Sequence, residues 1–123
     1  MRYLLLISEP RGQREARSDA EARTRYAEMV AFGEGLGSKL LASESLRPDR
    51  HGVRVQVQHD KPVLRDGPFA ETKEMVGGFF LLDCASLEEA VAIARACPAA
   101  RFASVEVREC APCYVCREPG EPS

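Results

Sequence analysis

Hydrophobic and polar positions alternate between two periods along this chain, and the switches mark its elements. Arg2 to Ser8 has a continuous apolar centre, Leu4-Leu5-Leu6-Ile7, which predicts a strand buried on both faces in the middle of a sheet. Glu9 to Arg17 is polar and contains Pro10 and Gly12, which predicts a loop. Ser18-Asp19-Ala20-Glu21 has the form of a capping box, in which the serine hydroxyl accepts from the glutamate amide. The helix it opens places Ala22, Tyr26, Met29, Val30, Gly33 and Leu36 on one stripe, and Gly35 and Gly37 mark its end. Lys39 to Leu46 reads as a strand that stops at Arg47-Pro48. His51 to Gln58 alternates with Val53, Val55 and Val57 on one side, which predicts a half-buried strand. His59-Asp60-Lys61 turns the chain, and Pro62 to Arg65 returns as an edge strand, where a proline is tolerated. Gly78 to Cys84 is a second central strand. Ser86-Leu87-Glu88-Glu89 is a second capping box, and Leu87, Ala90, Val91 and Ala94 form the stripe of a helix stopped by Pro98. Phe102 to Arg108 alternates as the last strand.

The order is βαβ, a hairpin, then βαβ. Two such halves make an α+β, ferredoxin-like sheet with two helices on one face. Two helices cover one side only, so the bare side calls for a second copy of the chain. The domain is expected over 1–109, with a cysteine-containing tail over 110–123.

At 123 residues, 45% hydrophobic and 29% charged, the chain has the size and composition of one soluble globular domain. A net charge of -2 gives no electrostatic footprint for nucleic acid or an anionic membrane. Leu4 to Ile7 is too short for the core of a signal peptide, and Pro10 follows closely, so the reading is cytoplasmic with no membrane partner. Under that reading the five cysteines are free thiols. Cys110, Cys113 and Cys116 have overlapping spacings that suit three ligands of a metal, but they are one short of a closed structural site. The expectation is therefore no metal, and no cofactor, since no phosphate-binding glycine loop, dinucleotide fingerprint or nucleophile elbow is present.

The densest chemistry lies in Asp66-Gly67-Pro68-Phe69-Ala70-Glu71-Thr72-Lys73-Glu74. Gly67 permits positive φ, and Pro68 removes the amide that an Asx turn at Asp66 would use, so Asp66 needs Phe69 N–H or another donor. Asp66, Glu71, Lys73 and Glu74 are candidates for an acid/base cluster, because a lysine among carboxylates separates their pKa values. The alternative is a solvated loop whose charges only keep it wet. Were the segment extended, Glu71 and Lys73 would share a face; were it helical, Glu71 and Glu74 would. His51 and His59 fall in turns and are expected to be exposed. Tyr26 belongs either to the core or to a pocket wall. Arg47, at a strand end, is either an anion contact or a surface charge.

This nine-residue stretch resembles the DGPFAETKE motif of the YCII-related (DGPF-domain) proteins. The resemblance extends to Met1–Ile7, Gly77-Gly78-Phe79-Phe80, Cys97–Arg101 and Ser104–Arg108, and leaves out the tail. It implies a homodimeric α+β barrel. The reading that follows is a protein that binds or acts on a small metabolite in a polar pocket near the motif, with Tyr26, Arg47, Asp66 and Phe69 as candidate ligand contacts. No activity is established for the family as a whole. Some members use a His–Asp pair with the histidine on the first helix; this chain has no histidine there and offers Arg23, Arg25 and Tyr26. Members also accompany extracytoplasmic-function sigma factors, which implies the alternative of a non-catalytic regulatory or protein-interaction module.

Overall fold

The computed structural model describes residues 1–69 and 71–116. Its elements are β1 (Arg2–Pro10), α1 (Gln13–Ala16), α2 (Asp19–Gly35), β2 (Leu40–Ser45), β3 (Val53–Gln58), β4 (Lys61–Asp66), β5 (Glu74–Asp83), α3 (Leu87–Ala96) and β6 (Ser104–Glu109). The main sheet runs β2-β5-β1-β6 with every neighbouring pair antiparallel. This is the expected ferredoxin-like α+β arrangement, with the two apolar runs at its centre.

Both capping boxes form. Ser18 Oγ accepts from Glu21 N–H at 3.1 Å and Ser86 Oγ from Glu89 N–H at 3.2 Å, each satisfying a donor that the first turn leaves free. Past the end of α2, Gly37 adopts φ 58°, a left-handed conformation that costs glycine little. One face of the central strands, with Tyr3, Leu5, Phe80 and Leu82, packs beneath Ala90 and Ala94 of α3 and Met29 and Phe32 of α2. Phe32 meets Phe80 edge to face at 5.4 Å. The opposite face pairs Leu4 with Leu81 and Leu6 with Phe79, all half-buried, and no helix lies on it among the described residues.

Two expectations are corrected. Glu9 and Pro10 continue β1 instead of opening a loop, because β5 begins four residues earlier than its apolar run suggests and offers Met75 and Glu74 as partners. The register steps between Ile7 and Ser8, leaving Gly77 as the extra residue of a bulge. The former loop also contains the single turn α1.

The second correction concerns the hairpin. β3 and β4 form a separate two-stranded sheet, joined by His59 and Asp60 at φ 51° and 64°, the geometry of a tight primed turn. Val53, Val55 and Val57 share a face with Leu64, and that face is open: Val55 is 60% exposed and Leu64 64%. The alternation was a true strand signal, but the strand never joins the main sheet, so its apolar side has no core to enter. Both histidines are exposed, as expected.

Candidate ligand-binding site

The signature loop leaves β4 at Asp66 and enters β5 at Glu74. Its organiser is Arg11, just past β1. The guanidinium donates in parallel to both oxygens of Asp49, at 2.9 and 2.6 Å, and also to Phe69 O, Thr72 O and Thr72 Oγ1. Phe69 N–H donates to Asp49 Oδ2 at 3.2 Å. Asp49 therefore takes the place expected of Asp66, which is exposed and makes no side-chain hydrogen bond among the described residues. The hydrogen bond from Arg11 holds the Asp49 carboxyl down at about 2, helped by Phe69 N–H.

Gly67 serves close approach rather than positive φ: a Cβ there would lie 1.7 Å from Asp49 O. The Gly67–Pro68 peptide is cis. Glu71 pairs with neither Lys73 nor Glu74. It bridges Arg54 and Arg65, which face each other across the hairpin, at 2.5 and 3.0 Å. Those bonds, that to Arg54 foremost, hold its carboxyl down at about 2. The Phe69 ring lies under Arg54, 4.2 Å from the guanidinium carbon. Arg47 is exposed, 3.5 Å from His51. The candidate residues of this loop are thus pinned to the hairpin and to Arg11, or stand in solvent.

A larger space lies on the helix side of the sheet. Between α2, α1 and the β2–β5–β1 strands is a cavity of about 650 Å³, within the range of small-molecule sites. The α2 stripe walls it. Ala22, Tyr26, Met29, Val30 and Gly33 line the cavity, and only Gly33 of α2 is buried. Tyr26 is accordingly a pocket-wall residue, 61% exposed, and not part of the core.

Glu9 reaches this cavity from the core face of β1, on which Tyr3, Leu5 and Ile7 precede it at every second position. It is only 5% exposed. Arg14 Nη2 lies 2.6 Å from Glu9 Oε1, but the guanidinium donates to Leu46 O (2.7 Å) and Gly77 O (3.2 Å). Glu9 Oε1 thus has the Arg14 guanidinium as its ion-pair partner and no other donor among the described residues. Gly77 makes the approach possible, since a Cβ there would sit 2.3 Å from that oxygen.

Arg17 and Arg25 also line the cavity, and both lean on the Phe102 ring, at 5.0 and 4.0 Å. Arg17 donates to Gln13, and neither has a carboxylate partner among the described residues. Burial first, then the like charge of Arg25, pulls the Arg17 guanidinium below its ordinary value.

Elsewhere, Cys84 and Cys97 are buried thiols pushed up by burial, and Cys110, Cys113 and Cys116 are exposed and free. Among the described residues no three His, Cys, Asp or Glu side chains come together to hold a metal, and no helix is long and apolar enough to cross a membrane.

The YCII-related domain matches residues 1–113, nearly the whole chain. The chain belongs to the YCII-related family. The match extends past β6 to include Cys110 and Cys113. An uncharacterized protein of Rhizobium meliloti (strain 1021) is 34% identical over 88 residues, which are 72% of this chain and 64% of that relative. Among solved structures, the chain is similar to 5-chloro-2-hydroxyhydroquinone dehydrochlorinase (TftG) from Burkholderia phenoliruptrix AC1100, solved in complex with 2,5-dihydroxybenzoquinone. The TM-score is 0.54 at 18% identity, over 90% of this chain and 94% of that one, which is a likeness of fold.

Of the expected ligand contacts, only Tyr26 lines the cavity; Arg47, Asp66 and Phe69 do not. Glu9, Arg14 and Arg17 were missed because their segment reads as a polar loop. The signal was available in the parity of β1. Continuing Tyr3, Leu5 and Ile7 by two places puts Glu9 on the core face, where a carboxylate requires a reason.

Proposed function

We propose that this chain binds a small organic molecule in the cavity between α2 and the sheet, and that any chemistry it performs takes place there. The observation that carries this reading is a cavity that gathers the buried carboxylate of Glu9, paired with Arg14 alone, and two guanidiniums, Arg17 and Arg25, without a carboxylate partner among the described residues. Guanidinium donors left open beside apolar side chains would be satisfied by a bound acceptor. The fold neighbour is named for an enzyme acting on a small hydroxylated ring compound, which agrees with a ligand of that size. The signature loop, on this reading, braces the hairpin and Arg11 and does not contact ligand.

A thermal-shift screen of small metabolites tests it. A ligand present at about 100 times its Kd stabilises the fold by roughly 2.7 kcal/mol. Val30→Trp, which blocks the cavity from an exposed position on α2, should abolish the shift and leave the unliganded melting temperature nearly unchanged. Hits that bind the variant as well as the native chain would move the site elsewhere.

The chain is further proposed to be a homodimer. The sheet face carrying Leu4, Leu6, Phe79 and Leu81 has no helix to cover it, and a second copy would. Sedimentation at micromolar concentration should return the mass of two chains. The open valine face of the hairpin favours a second reading, an interaction module for an extracytoplasmic-function sigma factor. Val55→Arg would then abolish binding to such a factor and leave every ligand-induced thermal shift intact.

A further inference from the structure

We infer that the cavity takes a small hydroxy acid: its carboxylate lies on Arg17 and Arg25, its hydroxyl donates to Glu9 Oε1, and an apolar body of about ring size spans the two. The inference rests on the cavity being the binding site and specifies what the site selects.

At the inner end stands Glu9, whose ionised carboxylate can only accept hydrogen bonds. A ligand must therefore bring a donor to Oε1. Arg14 pairs with that oxygen at 2.6 Å while its guanidinium also donates to the carbonyls of Leu46 and Gly77, which leaves one lone pair of Oε1 unused. The positive charge of Arg14 disfavours an ammonium arriving at the same place. A neutral hydroxyl meets both conditions.

At the other end are two guanidiniums on one aromatic ring with no carboxylate partner among the described residues. Gln13 occupies one nitrogen of Arg17, and Arg25 makes no side-chain hydrogen bond among those residues. Their planar forks match a carboxylate, and both guanidiniums lie over the Phe102 ring. Ile7, Met29 and Phe80 give the cavity apolar lining for the body of the ligand, beside the polar Ser43, Glu44 and Ser45. A polyanion without a hydroxyl would set a second negative charge against Glu9. A neutral polyol would leave both arginines unpaired and set hydroxyls against the apolar wall.

The test is calorimetric titration of the full chain with 3- and 4-hydroxybenzoate, benzoate, and the methyl esters of both hydroxy acids. At least one hydroxy acid should bind, and benzoate and the matching ester should each bind about tenfold more weakly, the loss expected for one charge-assisted hydrogen bond. Glu9→Gln should weaken the hydroxy acid and leave benzoate unchanged, whereas Arg25→Met should weaken both acids and leave the ester unchanged. That crossed pattern separates the two ends of the ligand in a way that a general loss of folding does not. An ester as tight as its acid, or Glu9→Gln acting equally on benzoate and hydroxybenzoate, would overturn the inference. Failure of all five compounds at millimolar concentration would overturn it too; screen hits blocked by Val30→Trp would then preserve the cavity as a site for another class. Hits that are indifferent to Val30→Trp remove both readings together.

Discussion

In the signature loop, Arg11 joins Asp49, Phe69 and Thr72, and Glu71 joins Arg54 and Arg65, so these charged groups meet partners of their own chain. In the cavity the same residue types are less fully paired: Glu9 Oε1 has the Arg14 guanidinium alone, and Arg17 and Arg25 have no carboxylate partner among the described residues. The contrast is one of saturation. A polar network closed on itself contributes rigidity, whereas one with unused donors and acceptors, walled by apolar side chains, is prepared for something from outside. Density of charge in the sequence does not separate the two cases; only the accounting of partners does.

The largest expected effect breaks the closed side. Gly67→Ala should cost roughly 3 kcal/mol, because the new Cβ meets the backbone carbonyl of Asp49, which cannot move aside as a side-chain tip can. Urea denaturation measures it, and a loss below about 0.5 kcal/mol would show that loop and hairpin are not locked together.

Acid comes next. Asp49 and Glu71 ionise at about 2 in the folded chain, against ordinary values of 3.8 and 4.5. The unfolded chain binds protons first, so the stability these groups contribute is whole above the ordinary values. It is lost as pH falls towards about 2. The urea midpoint should fall over that window, and Asp49→Asn with Glu71→Gln should flatten the fall while lowering the midpoint at pH 7. An unchanged acid slope in the double variant would contradict the pairing.

On the open side, Glu9→Gln should cost about 1–2 kcal/mol, since it removes one charge of the largely buried pair with Arg14 but keeps the shape and an acceptor oxygen. Matched urea curves for Glu9→Gln and Gly67→Ala sharpen the contrast; a Glu9 variant as damaged as the Gly67 one would make Glu9 a structural residue. The smallest effect belongs to Asp66→Asn, within about 0.5 kcal/mol in stability, as for an exposed side chain without partners. A larger loss would return Asp66 to the loop's framework.

The helix starts, the two central strands and their order were legible because each rests on short-range chemistry: a serine three residues before a glutamate, an apolar run, a glycine after a helix. The hairpin's position was not, since Val53, Val55 and Val57 alternate identically whether their face meets a core or the solvent. The cavity was not legible for a related reason. Asp66, Glu71, Lys73 and Glu74 stand together in sequence and attract attention, whereas Glu9, Arg17, Arg25 and Phe102 are brought together only by packing α1 and α2 against the sheet. Arg11 and Asp49, 38 positions apart, show the same blindness on the structural side.

Arg11 and Arg14 belong to one short segment, the first gripping the signature loop and the second standing beside Glu9. Were opening of the Arg11 grip to displace Arg14 as well, the two regions would form a linked equilibrium. The apparent affinity of the proposed cavity site would then fall in proportion to the fraction still closed. By reciprocity, a filled cavity should shift that balance towards the closed form and slow amide exchange at Arg11, whose N–H bonds to Lys73 O. A motif that touches no ligand would then be felt in every binding constant.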